Sequence, residues 1–161
     1  MTSTDFDFLH GEWAVQNRRL RDVTDPDGTV WVEFVGVGTC EPVLSGGGNV
    51  DRLIVHESPL GAFEGLALRL YSPDEDLWRI WWSSDRAPGV LDEPVVGRFV
   101  DGHGVFDAVQ RIRDTDVLVR FEWFTEQPDP RWQQAFSWDG GSTWAVNWEM
   151  TFLRGSGPAQ S

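Results

Sequence analysis

Taken in steps of two, one stretch of this chain reads Trp144, Val146, Trp148, Met150, Phe152, with Ala145, Asn147, Glu149 and Thr151 between. Large apolar side chains on one face of an extended chain and polar ones on the other are the signature of a half-buried β-strand. The pattern recurs in Trp132, Gln134, Phe136, Trp138; in Val117, Val119, Phe121, Trp123; and in Trp78, Ile80, Trp82. Ten Trp and ten Phe stand against one Tyr, and most of them hang on strand faces rather than on helices. A chain built this way must fold so that many strands bury one face together.

Turn signals cut the chain at short, regular intervals: Asp25-Pro26-Asp27-Gly28, Ser45-Gly46-Gly47-Gly48, Ser58-Pro59-Leu60-Gly61, Ser72-Pro73-Asp74-Glu75-Asp76 and Asp101-Gly102-His103-Gly104, then Asp114-Thr115-Asp116, Gln127-Pro128-Asp129-Pro130 and Asp139-Gly140-Gly141-Ser142. Gly supplies positive φ, Pro presets the first turn dihedral and Asp bonds its own backbone. The spacing predicts strands over 12–22, 30–40, 49–57, 62–71, 77–84, 95–101, 104–113, 117–126, 131–138 and 143–154. One helical turn is expected at 5–9, with Thr4 as its cap. Hairpin-sized connections predict an antiparallel meander. Its apolar face has to close into a barrel or fold into a sandwich, because an open sheet leaves unpaired edges. No repeat of blade length occurs, which argues against a propeller. Residues 1–154 are read as one barrel domain and 155–161 as a flexible tail.

The formal charge of −13 is spread along the chain without a basic run. Such a surface repels phosphate backbones and anionic membranes, so neither nucleic acid nor membrane is expected as a partner. Cys40 is the one cysteine, so no internal disulfide and no paired-cysteine metal motif can form. The first residues have neither the positive segment nor the apolar segment of a secretory signal, and no stretch reaches the apolar length of a membrane helix. A cytoplasmic protein is the expectation; a homo-oligomer is left open.

Two motifs add detail. Ser137-Trp138-Asp139-Gly140-Gly141-Ser142-Thr143-Trp144 resembles the Asp-box of sialidases, which sits on hairpin turns away from the active site. Occurring once, it implies a well-formed hairpin and no glycosidase activity. Gly11-Glu12-Trp13 opening the first strand, with Arg154 closing the last, resembles the calycin pattern of lipocalins and fatty-acid-binding-like barrels. That resemblance implies an indole packed at the barrel base under a guanidinium, a favourable cation–π pair. The wider pattern runs through Asp5-Phe6-Asp7-Phe8-Leu9, Asn49-x-Asp51, Leu68-Arg69-Leu70 and Pro94-x-Val96-Gly97-Arg98-Phe99. It continues in Trp132-x-Gln134-Ala135-Phe136-Ser137 and Asn147-Trp148-x-Met150. Over residues 5 to 154 it resembles an uncharacterised bacterial family of calycin-like proteins, which implies an up-and-down antiparallel barrel of about ten strands and no particular activity.

A barrel of that size has room for side chains and one small ligand. With the apolar face of each strand inward, the interior receives Trp13, Val15, Asn17 and Arg19; Trp78, Ile80 and Trp82; Val96, Arg98 and Val100; Phe106, Ala108, Gln110 and Ile112; and Trp132, Gln134 and Phe136. Buried polar groups need partners, so Asn17, Arg19, Arg98, Gln110 and Gln134 bond either one another and water or a ligand. The expected ligand site has Trp82, Trp123, Trp132 and Trp148 as walls and Asn17, Arg98 and Gln134 as polar anchors.

Catalytic constellations are thin. His10 and His103 flank turns, and His56 is the one histidine with a chance of facing inward, beside Arg52 and Ile54; only that would suit a haem. Glu122 and Glu149 should lie outside with Arg120 and Arg131, and Asp51 and Asp85 lie near barrel mouths. No nucleophile elbow occurs. Two classes remain: a binder of one small, largely apolar molecule, or a cofactor-free isomerase, lyase or cyclase using the same cavity with Arg98 or a buried carboxylate as polarising group. No metal or cofactor is expected in either. An inward carboxylate or His with a perturbed pKa would distinguish the second.

Overall fold

The structure, a computed structural model, describes residues 3–126 and 128–154. Ten strands follow one another: β1 (Gly11–Leu20), β2 (Trp31–Val43), β3 (Gly48–Val55), β4 (Phe63–Ser72), β5 (Leu77–Ser84), β6 (Val95–Val100), β7 (His103–Ile112), β8 (Thr115–Phe124), β9 (Arg131–Ser137) and β10 (Ala145–Leu153). Each pairs antiparallel with its neighbours in sequence, and β1 closes on β10 with Ala14 opposite Leu153 and Arg19 opposite Trp148. This is the expected up-and-down barrel, and closure removes the edges an open meander would expose. The expected flexible tail, 155–161, lies outside the described residues, as does Gln127 of the expected turn before β9.

One end of the barrel is plugged by the residues before β1. The helix expected at 5–9 is a single 3-10 turn, Asp7–Leu9, whose N-cap is Phe6 with no side-chain cap. The expected Thr4 cap does not form, and Thr4 O only accepts from Asp7 N at 3.0 Å in the preceding backbone turn. Three residues make one turn only, too few for the cooperative gain of a longer helix. The turn drives Phe6 into the base, edge-on to Trp78 and Phe99 with ring centroids 4.9 Å apart in each case. Trp13 Nε1 donates to Leu9 O at 2.8 Å, and the Arg154 guanidinium lies 3.6 Å above the Trp13 ring. Arg154 also donates to His10 O at 2.8 Å and Phe8 O at 3.3 Å, tying the plug to the end of β10. The G-x-W and late-arginine pairing is therefore present, and the barrel is consistent with a calycin-like fold.

Facing follows the expected phase along β1, β5, β7, β8 and β9; β6 alternates in the opposite phase, β3 alternates with His56 outside, and a bulge interrupts the alternation of β10. On β6 the interior takes Val95, Gly97 and Phe99, while Val96, Arg98 and Val100 face out. The phase is set at Gly97, where a Cβ would run into the Val105 carbonyl of β7, so no side chain fits between these backbones. On β3 the buried phase is Asn49, Leu53 and Val55, which leaves Arg52 and His56 exposed. On β10 a bulge lies between Val146 and Trp148. One extra residue flips the faces. Trp148, Met150 and Phe152 point inward, whereas Trp144 lies outside under Arg120, 4.1 Å from its guanidinium.

The hairpin before that bulge has the form its motif implied. Asp139 Oδ1 accepts from Ser137 Oγ and Thr143 N, both at 2.9 Å, and Oδ2 accepts from Thr143 Oγ1 at 2.6 Å. Gly140 and Gly141 take φ of +74° and +99°, which side-chain-bearing residues rarely adopt.

Candidate functional site

The strands' inner aromatic residues do not fill the barrel. A cavity of about 80 Å³ remains, lined by Trp82, Trp123, Trp132 and Trp148 together with aliphatic neighbours such as Ile80 and Met150. Trp148 stands edge-on to Trp82 and Trp132, at centroid distances of 6.1 and 5.6 Å, and Trp132 edge-on to Phe121 at 5.1 Å. Edge-to-face contacts at these distances are favourable and hold the rings in fixed orientations.

Toward the end away from the plug, the wall is completed by the connection 85–94. β5 pairs with β6 only through Trp78, Arg79 and Ile80. Beyond Ile80 the two strands diverge, and the connection takes the vacated place: Asp92 N donates to Trp82 O at 2.9 Å and Ser83 Oγ to Val90 O at 2.7 Å. It brings Asp92 and Glu93 to the cavity.

The polar residues expected to anchor a ligand are placed differently from one another. Asn17 is buried and committed to the protein: its Oδ1 accepts from Trp148 Nε1 at 2.9 Å and its Nδ2 donates to Val15 O at 3.1 Å. It therefore orients a cavity wall. Gln134 lines the cavity and donates through Nε2 to Asn147 Oδ1 at 2.9 Å, holding the residue at the bulge. Arg19 lies over the Trp148 ring, 4.9 Å from its centroid, and donates to Leu20 O at 2.9 Å. Arg98 is exposed on the outer face of β6 and takes no part in the cavity. Gln110 lines it.

A second polar group, unrecognised in the sequence as a site, sits at the plugged end. Arg69 on β4 is buried; its Nη1 donates to Asn49 Oδ1 at 2.8 Å and its Nη2 pairs with Asp51 Oδ2 at 2.5 Å. The guanidinium lies 4.9 Å from the Phe6 ring and 5.5 Å from that of Trp123. The signal was available: Phe63, Gly65, Ala67 and Arg69 share a strand face, so an arginine falls in phase with buried small and apolar residues. Cys40 is buried beside this cluster, and burial pushes its thiol up to about 12. At the other end, burial raises the Asp92 carboxyl above its ordinary value.

The remaining titratable candidates stay outside. His56 is exposed, which removes the inward histidine a haem would need. His103 Nε2 meets Glu122 Oε2 at 2.8 Å on the outer surface, and Glu149 pairs with Arg18 at 3.0 Å. Asp85 accepts from Glu64 N at 3.0 Å. Among the described residues no group of three His, Cys, Asp or Glu side chains could hold a metal ion, and no helix is long and apolar enough to cross a membrane.

What these elements define is a closed ten-stranded antiparallel barrel whose buried aromatic interior is compatible with ligand binding. Compared with known proteins, the sequence matches no protein-family model and no curated protein.

Proposed function

We propose that this protein binds one compact, largely apolar small molecule inside the barrel, as a cytoplasmic member of a calycin-like family. The observation that carries the reading is the indole-walled cavity, whose rings are pinned by edge contacts and by the Asn17 hydrogen bond to Trp148. Pinned aromatic walls lower the ordering cost of binding. At about 80 Å³ the cavity falls well short of drug-sized pockets, which are on the order of 300–1,000 Å³, so the ligand has only a few heavy atoms. Native mass spectrometry of the purified protein tests the reading directly: a co-purifying small molecule, lost in a Trp148→Ala variant, is the expected result. Titration with that molecule should quench Trp fluorescence and raise stability by about 2.7 kcal/mol at a hundredfold excess over Kd. A protein that carries nothing and whose fluorescence no small apolar compound alters refutes it.

A second reading, a cofactor-free catalyst of proton transfer, is favoured by one observation. Asp92 is a carboxyl at the cavity whose acidity burial weakens, the feature an acid–base catalyst needs. The Asp92→Asn variant separates the two readings. A binder keeps its ligand affinity within a small factor; a catalyst keeps affinity and loses turnover of the co-purifying compound by roughly a hundredfold or more.

A further inference from the structure

Two N–H groups at the plugged end of the barrel have no hydrogen-bond partner among the described residues: Arg69 Nε and Trp123 Nε1. Both side chains are nearly sealed from solvent, at 4% and 2% exposure, and both line the cavity. Buried donors are almost always paired, because an unmet one forfeits its hydration without return. Two of them, on side chains stacked 5.5 Å apart, mark a place where an acceptor belongs.

The surroundings say what kind of acceptor. Asp51 already compensates the Arg69 charge at 2.5 Å, and Asn49 occupies Nη1. What is missing is therefore a lone pair and not a counter-ion. A carboxylate or phosphate here would bring a second negative charge beside Asp51 in a poorly solvated space, which is costly. A hydroxyl would add a donor to a place already rich in donors. A carbonyl oxygen offers two lone pairs and no proton. The rest of the cavity is mostly apolar, walled by Trp82, Trp132 and Trp148 with Gln110, Gln134 and Asp92 among its fewer polar residues, and suits a small carbon skeleton.

We propose that the ligand is a compact, uncharged carbonyl compound whose oxygen accepts hydrogen bonds from Arg69 Nε and Trp123 Nε1. This deepens the binding reading and rests on it. Arg69 is held for the task by Asn49, Asp51 and the Phe6 ring, so its Nε is presented without freedom to turn away.

Three probes of similar size test it on the full-length protein: cyclopentanone, cyclopentane and cyclobutanecarboxylate. Affinity is read by Trp fluorescence, and the Trp123 indole N–H is followed by ¹⁵N NMR, its resonance assigned with Trp123→Phe. Cyclopentanone should bind about tenfold or more tightly than either of the others, the scale of one or two net hydrogen bonds. It should also move the Trp123 indole resonance downfield. Trp123→Phe, which removes both the N–H and part of the cavity wall, should weaken ketone binding severalfold more than it changes that of cyclopentane. Equal binding of ketone and hydrocarbon with an unmoved indole resonance overturns the carbonyl assignment and leaves the binding reading standing. Tighter binding of the carboxylate overturns it in favour of an anion. If none of the three binds, the carbonyl assignment is overturned, and the binding reading is decided separately by the native mass spectrum. The indole shift is measured on the unmutated protein, so the test survives a variant that fails to fold.

Discussion

Asp139 shows how one side chain can organise a turn and report on it. Its hydrogen bonds from Thr143 and Ser137 hold its carboxyl down to about 2, below its ordinary value of 3.8. Because the folded value is the lower one, the stabilisation is fully present above the ordinary carboxylate range and is lost as pH falls through about 2. A carboxyl ¹³C titration should therefore give Asp139 a midpoint near 2; a midpoint at the ordinary value means the turn is not held this way. Cys40 makes the opposite case. With its thiol pushed up to about 12 by burial, it should resist iodoacetamide at pH 8 until the barrel unfolds, and rapid labelling of the native protein would contradict its placement. Arg98, exposed on β6, should be replaceable by Ala with stability changed by less than about 0.5 kcal/mol and cavity binding untouched. A clear loss of ligand affinity in that variant returns Arg98 to the site.

At the scale of elements, β4 and β5 position the cavity wall together. The Trp82 indole lies across Gly65, and a Cβ there would fall within the ring. Gly65→Ala must push Trp82 aside, with an expected cost of about 1–3 kcal/mol as for other overpacked sites. Because Trp82 lines the cavity, the same change should weaken ligand binding, and chemical denaturation with a parallel fluorescence titration reads both effects. Unchanged stability would mean the indole has another place to go. The bulge in β10 acts on a larger set of residues. It separates Trp144, which covers Arg120 outside, from Trp148, which walls the cavity inside. Read as unbroken alternation, the strand put both indoles on one face.

Over the whole molecule, the charge of −13 is carried with thirteen arginines and no lysine. Several of these arginines lie against aromatic rings on the outer wall: Arg18 over Trp31 at 3.9 Å, Arg131 over Phe124 at 4.8 Å. A planar, weakly hydrated guanidinium suits such stacking better than an ammonium does. Net self-repulsion should still oppose compaction, so raising salt from about 10 mM to about 150 mM should increase Tm by screening it. A Tm that falls over this range would show that attractive surface pairs such as Arg120–Asp107 outweigh the repulsion.

The sequence by itself determined the ten strands, their turns and the closure of the barrel, including the meeting of Trp13 and Arg154. The strands and turns follow from local rules, period two along a strand and φ preferences of Gly, Pro and Asp in turns; closure as a barrel and not a sandwich, and the meeting of Trp13 with Arg154, were what the calycin resemblance implied. Four inward indoles were legible from period two. Tertiary structure decided which way the mixed strands face, because the phase of β6 depends on how closely the Val105 backbone approaches Gly97, and that of β10 on a bulge at Asn147. It also decided the polar site. Arg69, Asn49 and Asp51 stand on two strands, and only the register that sets Asn49 opposite Arg69 brings their side chains together around one buried charge. Alternation along a single strand carries no information about its neighbour's register, so the cavity's polar end could be seen only once the barrel was closed.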